Sequence, residues 1–141
     1  MLTIERYFVR ADRCLQDLLY VARENEIEIE EIFGHVKGKT NIQGEYFPEY
    51  QLIVLYYDEH CSLDELLDTL AHELGHGLDV KLDTDGYGTD KAEAFAEWFA
   101  YLFIQHYIPI KDKPDRSIKP VAVRVRKLVT QLLDKVDEDL N

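Results

Sequence analysis

From residue 3 to about residue 24, apolar side chains recur at helical spacing. Ile4, Tyr7, Phe8, Ala11, Cys14, Leu15, Leu18, Leu19 and Ala22 form one stripe of an amphipathic helix, with Thr3 suited to its N-cap. The pattern then changes. Ile27, Ile29 and Ile32 come close to alternating, Gly34, Gly38 and Gly44 stand in turn-like surroundings, and residues 51–57 (QLIVLYY) are rich in β-branched and aromatic types. This stretch predicts a small sheet of three or four strands in which 51–57 is the best paired.

Helical spacing returns at Ser62. Ser62-Leu-Asp-Glu65 is a capping box, and Leu63, Leu66, Leu67, Leu70, Leu74 and Leu78 supply the apolar face behind it. Gly86 and Gly88 punctuate a loop. A third helix is expected from near Asp90 to about Tyr107, stopping before Pro109, and it is apolar on most sides. Residues 109–119 read as a connector. Pro120 fits the first turn of a last helix carrying Val121, Val125, Leu128, Val129, Leu132, Leu133 and Val136, with a solvated acidic tail from Asp134 onward. The order of elements predicts an α+β fold, one domain over residues 1–141.

Composition narrows the function classes. With 46% hydrophobic and 31% charged residues the 141-residue chain is ordinary for a globular domain. A net charge of −12 repels phosphate backbones and anionic lipid, so nucleic acid and membrane surfaces are poor partners and a basic protein or peptide is a better one; the charge also serves solubility. Cys14 and Cys61 are the only cysteines, too few for a disulfide scaffold, and Cys14 falls on the apolar stripe as a small core residue. Charges at Glu5, Arg6, Arg10, Asp12 and Arg13 break up any signal-peptide core, and the longest apolar runs are too short to span a bilayer. The expected location is cytoplasmic.

One motif carries chemistry. His72-Glu73-Leu74-Gly75-His76 matches H-E-x-x-H on a capped helix directly after the strongest strand. Residues i and i+4 share a helix face, so both imidazoles can reach one cation, and Glu73 beside them can accept a proton from its water. The spacing equally allows two surface histidines and an exposed glutamate. Glu93 and Glu97 lie one turn apart on an otherwise apolar helix, where a buried carboxylate needs a partner such as a zinc ion; the helix dipole accounts for Glu93 moderately and for Glu97 poorly. His35, His60 and His106 have no motif around them.

His72-Glu-Leu-Gly-His76 followed by Glu93-x-x-Ala96-x-x-Phe99-Ala100 resembles the gluzincin pattern, in which a downstream helix supplies a glutamate ligand. Within it, Gly44 to Leu55 and Thr69 to His76 look like the ImmA/IrrE-type peptidases, whose later motif E-x-x-A-N-x-F-A is met except that Glu97 replaces the asparagine. The chain also resembles the anthrax lethal-factor-like peptidases, including the Pro-Pro endopeptidase group. There an aspartate follows the motif as Asp79 does, a glutamate pair is spaced like Glu93 and Glu97, and a tyrosine-glycine precedes it like Tyr87-Gly88, here one residue nearer to Glu93. The resemblances cover about residues 44–103.

They imply a small zincin-like domain that binds Zn2+ through His72, His76 and Glu93. Glu73 is then the general base of peptide hydrolysis. The second resemblance implies Tyr87 as a hydrogen-bond donor to the oxyanion, although an aromatic packed on a glycine turn fits the same residue. Glu97 would orient a ligand histidine, and Asp79 would do the same or simply end its helix. A loop over 79–89 would carry specificity. Two other readings stay open: a regulatory protein of the ImmA/IrrE kind acting on a transcriptional repressor, and a non-catalytic module whose metal is structural or absent.

Overall fold

A computed structural model describes residues 3–34, 42–58, 61–82, 89–110, 112–114 and 119–140. It is a small α+β domain of four helices and a three-stranded mixed sheet: α1 (Ile4–Glu24), β1 (Glu28–Phe33), β2 (Ile42–Phe47), β3 (Leu52–Tyr57), α2 (Leu63–Leu82), α3 (Asp90–Gln105) and α4 (Lys119–Leu140). The sheet order is β1-β3-β2, with β3 central, parallel to β1 and antiparallel to β2. Among the described residues no helix is long and apolar enough to cross a membrane.

Local chemistry sets the helix starts. Thr3 accepts from the backbone N–H of Arg6, Thr89 from that of Ala92, and the Ser62 hydroxyl from that of Glu65 while the Glu65 carboxylate accepts from the Ser62 N–H. Each side chain satisfies a donor that the first helical turn would otherwise leave open, a contribution of about 1 kcal/mol per cap.

α2 is squeezed between the sheet and α3, and glycines make this possible. A Cβ on Gly77 would lie 2.8 Å from Ile27 Cδ1 and 3.1 Å from the Tyr46 ring, on the sheet side. A Cβ on Gly75 would lie 2.9 Å from Ala96 Cα and 3.2 Å from Phe99 Cβ, on the α3 side. Phe95, Phe99 and Phe103, spaced by four on α3, are fully buried and carry the core toward α4, where Val121, Val125 and Val129 close it. Burial of each phenyl ring stabilises by about 2–3 kcal/mol. At the far end of α3, the Tyr107 hydroxyl donates to the buried Asp17 carboxylate at 2.5 Å and Arg13 pairs with the same group at 3.2 Å, tying α1 to the end of α3.

Several expectations need correction. Gly44 is not in a turn; it lies within β2. Ile4 and Phe8 belong to the α1 stripe by spacing, yet both are exposed; before Ala11, where full burial begins, the half-buried Tyr7 is the stripe residue packed against the core. The acidic end of the chain is not a tail: α4 continues to Leu140, held by Val136 in the core. Asp79 does not end a helix; α2 runs a further turn beyond it.

Rigid neighbours on both sides of α2 lead to a sharp expectation at Gly75. Alanine there gains about 1 kcal/mol of helix propensity, but its methyl group would press on the α3 backbone, where no rotamer can yield. Gly75→Ala should therefore lose about 1–3 kcal/mol in a urea titration of the metal-free protein.

Candidate metal centre

Two consecutive turns of α2 and the first turn of α3 meet at one point. His72 and His76, four residues apart, direct their Nε2 atoms to the two oxygens of a single carboxylate: His72 Nε2 lies 3.3 Å from Glu93 Oε2 and His76 Nε2 lies 3.0 Å from Glu93 Oε1. The rings stand edge to face with centroids 4.9 Å apart. His76 is buried and His72 half-buried, so one side of the cluster faces solvent. His72, Glu73 and His76 also offer ligand atoms within 4.8 Å of one another, a group that could hold a metal ion.

Glu73 is 92% shielded even though it is a carboxylate (8% exposed). Its stem packs against β2 because Gly44 has no side chain: a Cβ at that position would lie 3.0 Å from Glu73 Cγ and 2.8 Å from Thr69 Cγ2. Burial, and then the nearby charges of Glu93 and Glu45, push the Glu73 carboxyl up to about 7. His76 moves the other way. Burial and the neighbouring His72 lower its proton affinity, while Glu93 opposes that shift.

The donor set suits a divalent cation. Two ring nitrogens and a carboxylate form an N, N, O arrangement with an open side, and such a group could hold a metal ion. Two carboxylates lie near the imidazole pair: Glu73, which groups with His72 and His76 on α2, and Glu93 from α3, each of whose oxygens faces a different imidazole.

The other expected residues divide. Glu97, half-buried, lines a cavity of about 550 Å³ with His72, Asp68, Tyr101 and the connector residues Ile110, Asp112, Lys113 and Pro114. Asp79 lies one turn beyond His76 and is buried, and its Oδ2 and the His76 Nδ1 are both closed off from solvent. Tyr87 falls outside the described residues, as do His35, His60 and most of the 79–89 loop. His106 is exposed at the opposite end of α3 and takes no part. Sequence reasoning missed Gly44 as the residue that admits Glu73. A glycine inside a strand-like stretch, a mark of close backbone approach, was the available signal.

The raised Glu73 carboxyl has a consequence for the metal-free protein. Its pKa is higher folded than unfolded, so the folded chain binds the extra proton, and the stability present below pH 4.5 is lost as the pH rises to about 7. The shift corresponds to about 3 kcal/mol. Denaturant titrations of the metal-free chain should show stability falling across this window, and Glu73→Gln should remove most of that fall.

Comparisons with protein-family models, with curated proteins and with solved structures return no match for this chain.

Proposed function

We propose that the protein is a zinc-dependent metallopeptidase of the gluzincin type, with His72, His76 and Glu93 as metal ligands and Glu73 as general base. The observation that carries this reading is the convergence of both imidazole Nε2 atoms on the Glu93 carboxylate, at 3.0 and 3.3 Å. Two histidines on a surface helix would not recruit a carboxylate from a second helix in this way.

Zinc bound there would supply Lewis-acid polarisation of a carbonyl and acidify water at neutral pH. The chain's own residues do the rest. Glu73, beside both imidazoles, takes up a proton from water and can return it to the leaving amine, the role of a general acid–base. Burial against Gly44 and β2 fixes its position and keeps bulk water from competing. Glu97 and Asp79 serve as positioning groups behind the ligand histidines, and the cavity beside His72 is the place for substrate side chains. The acidic surface favours a basic peptide or protein as substrate.

The test combines metal and activity. Protein purified without added metal should carry about one zinc per chain and hydrolyse members of a quenched-fluorescent peptide pool. A chelator should abolish cleavage and zinc restore it. Metal without cleavage of any peptide would instead favour the binding-module reading.

A further inference from the structure

The cavity beside the metal centre has a direction. It begins at His72, whose Nε2 faces Glu93, and Asp68 stands on its wall one turn earlier along α2. A second cavity, of about 410 Å³, shares Asp68 and Ile110 with the first and reaches Asp64, a further turn back. Asp64, Asp68 and His72 recur every four residues and so stand on one face of α2. The two cavities together make a groove that leaves the metal centre and follows α2 toward its start.

Its lining combines two chemistries. Asp64, Asp68, Glu97 and Asp112 bring four carboxylates to the walls, against the one ammonium of Lys113. Tyr101, Ile108, Ile110 and Pro114 supply apolar surface beside them. A side chain with an aliphatic stem and a cationic head matches both parts, the stem along the apolar residues and the head among the carboxylates. An acidic side chain is repelled there, and a purely apolar one displaces water from carboxylates that it cannot partner. Nor are these carboxylates spaced for a second metal ion: among the described residues, the group whose ligand atoms converge closely enough is His72, Glu73 and His76.

Helix geometry sets the reach. Asp64 lies eight residues before His72, about 12 Å along α2, a length that about four extended residues cover. Because the groove opens on a metal ligand, whatever fills it lies close to the bond that would be cut. Resting on the peptidase reading above, we propose that the groove is a specificity pocket for a lysine or arginine side chain of the substrate, carried within about four residues of the scissile bond.

The experiment gives zinc-loaded protein a mixed peptide library and reads the cut sites by mass spectrometry. Lysine and arginine should be enriched at a fixed position within about four residues of the cut bonds. In one such substrate, norleucine in place of the basic residue should lower kcat/KM at least about fivefold, and glutamate should lower it further. Asp68→Asn with Asp112→Asn should bring the lysine-over-norleucine ratio close to one while zinc content stays at the parent value. Asp68→Glu, which keeps the charge, should retain the ratio. Asp134→Asn with Asp137→Asn, an equal loss of charge on α4, should leave the ratio within about twofold. Cut sites without basic enrichment, a ratio unmoved by the Asp68 and Asp112 pair, or equal losses in the two pairs would each overturn the pocket and leave peptide hydrolysis standing. Zinc-loaded protein that cuts no peptide of the library would overturn the peptidase reading itself, and the pocket with it.

Discussion

Glu73→Gln should lower kcat for a cleaved peptide by about a thousandfold, within the range that loss of a positioned general base costs, while leaving zinc content at the parent value. That loss amounts to about 4 kcal/mol of transition-state stabilisation. The replacement is nearly isosteric, so the packing of the stem against Gly44 and Thr69 is retained. What is lost is a carboxylate able to accept and return a full proton, which an amide cannot do. Stopped assays with matched zinc determinations separate the possible roles. A variant that loses zinc together with activity would make Glu73 a ligand, as its proximity to both imidazoles allows. A variant as active as the parent would end the general-base role altogether.

The motif itself was readable because helix geometry is local: Ser62 and Glu65 start α2, and four-residue spacing then puts His72 and His76 on one face. Glu93 was readable for a related reason, since a carboxylate amid Ala92, Ala94, Phe95 and Ala96 stands out against an apolar helix. β3 was equally clear from its run of β-branched and aromatic residues. Strand β2 was not. Its residues Gln43, Gly44 and Glu45 have little strand propensity, and pairing with β3 overrides that preference. Whether Gly44 sits in a turn or in a strand depends on what packs over it, and Glu73 lies 29 residues further along the chain. The end of α4 was misjudged for a similar reason: Val136 is one apolar residue among acidic ones, and only its place against the rest of the core keeps the helix going. Asp79 shows the limit of reading helix ends from charge, since no cap signal follows it and the helix proceeds to Leu82.

The carboxylate pair on α3 allows the ligand assignment to be tested without a substrate. Glu93→Ala should reduce zinc affinity well beyond the roughly 10- to 100-fold that loss of a supporting group costs, whereas Glu97→Ala should stay within that range. The reasoning is geometric. Glu93 is the residue whose oxygens touch both imidazoles, and it sits in the first turn of α3, with its backbone N–H bonded to the carbonyl of the N-cap Thr89. Glu97, a turn further along, borders the cavity beside His72. Competition titrations with a chromophoric chelator measure both variants on one scale, and they need no knowledge of what the protein cleaves. The stability of the metal-loaded chain should follow the same order, because a ligand that binds only the folded state raises its stability with the logarithm of affinity. Equal losses for the two variants would mean that both carboxylates bind the cation, leaving less room for water and weakening the case for hydrolysis. A larger loss for Glu97 would transfer the ligand role one turn along α3 and leave Glu93 as a hydrogen-bond partner of His72 and His76.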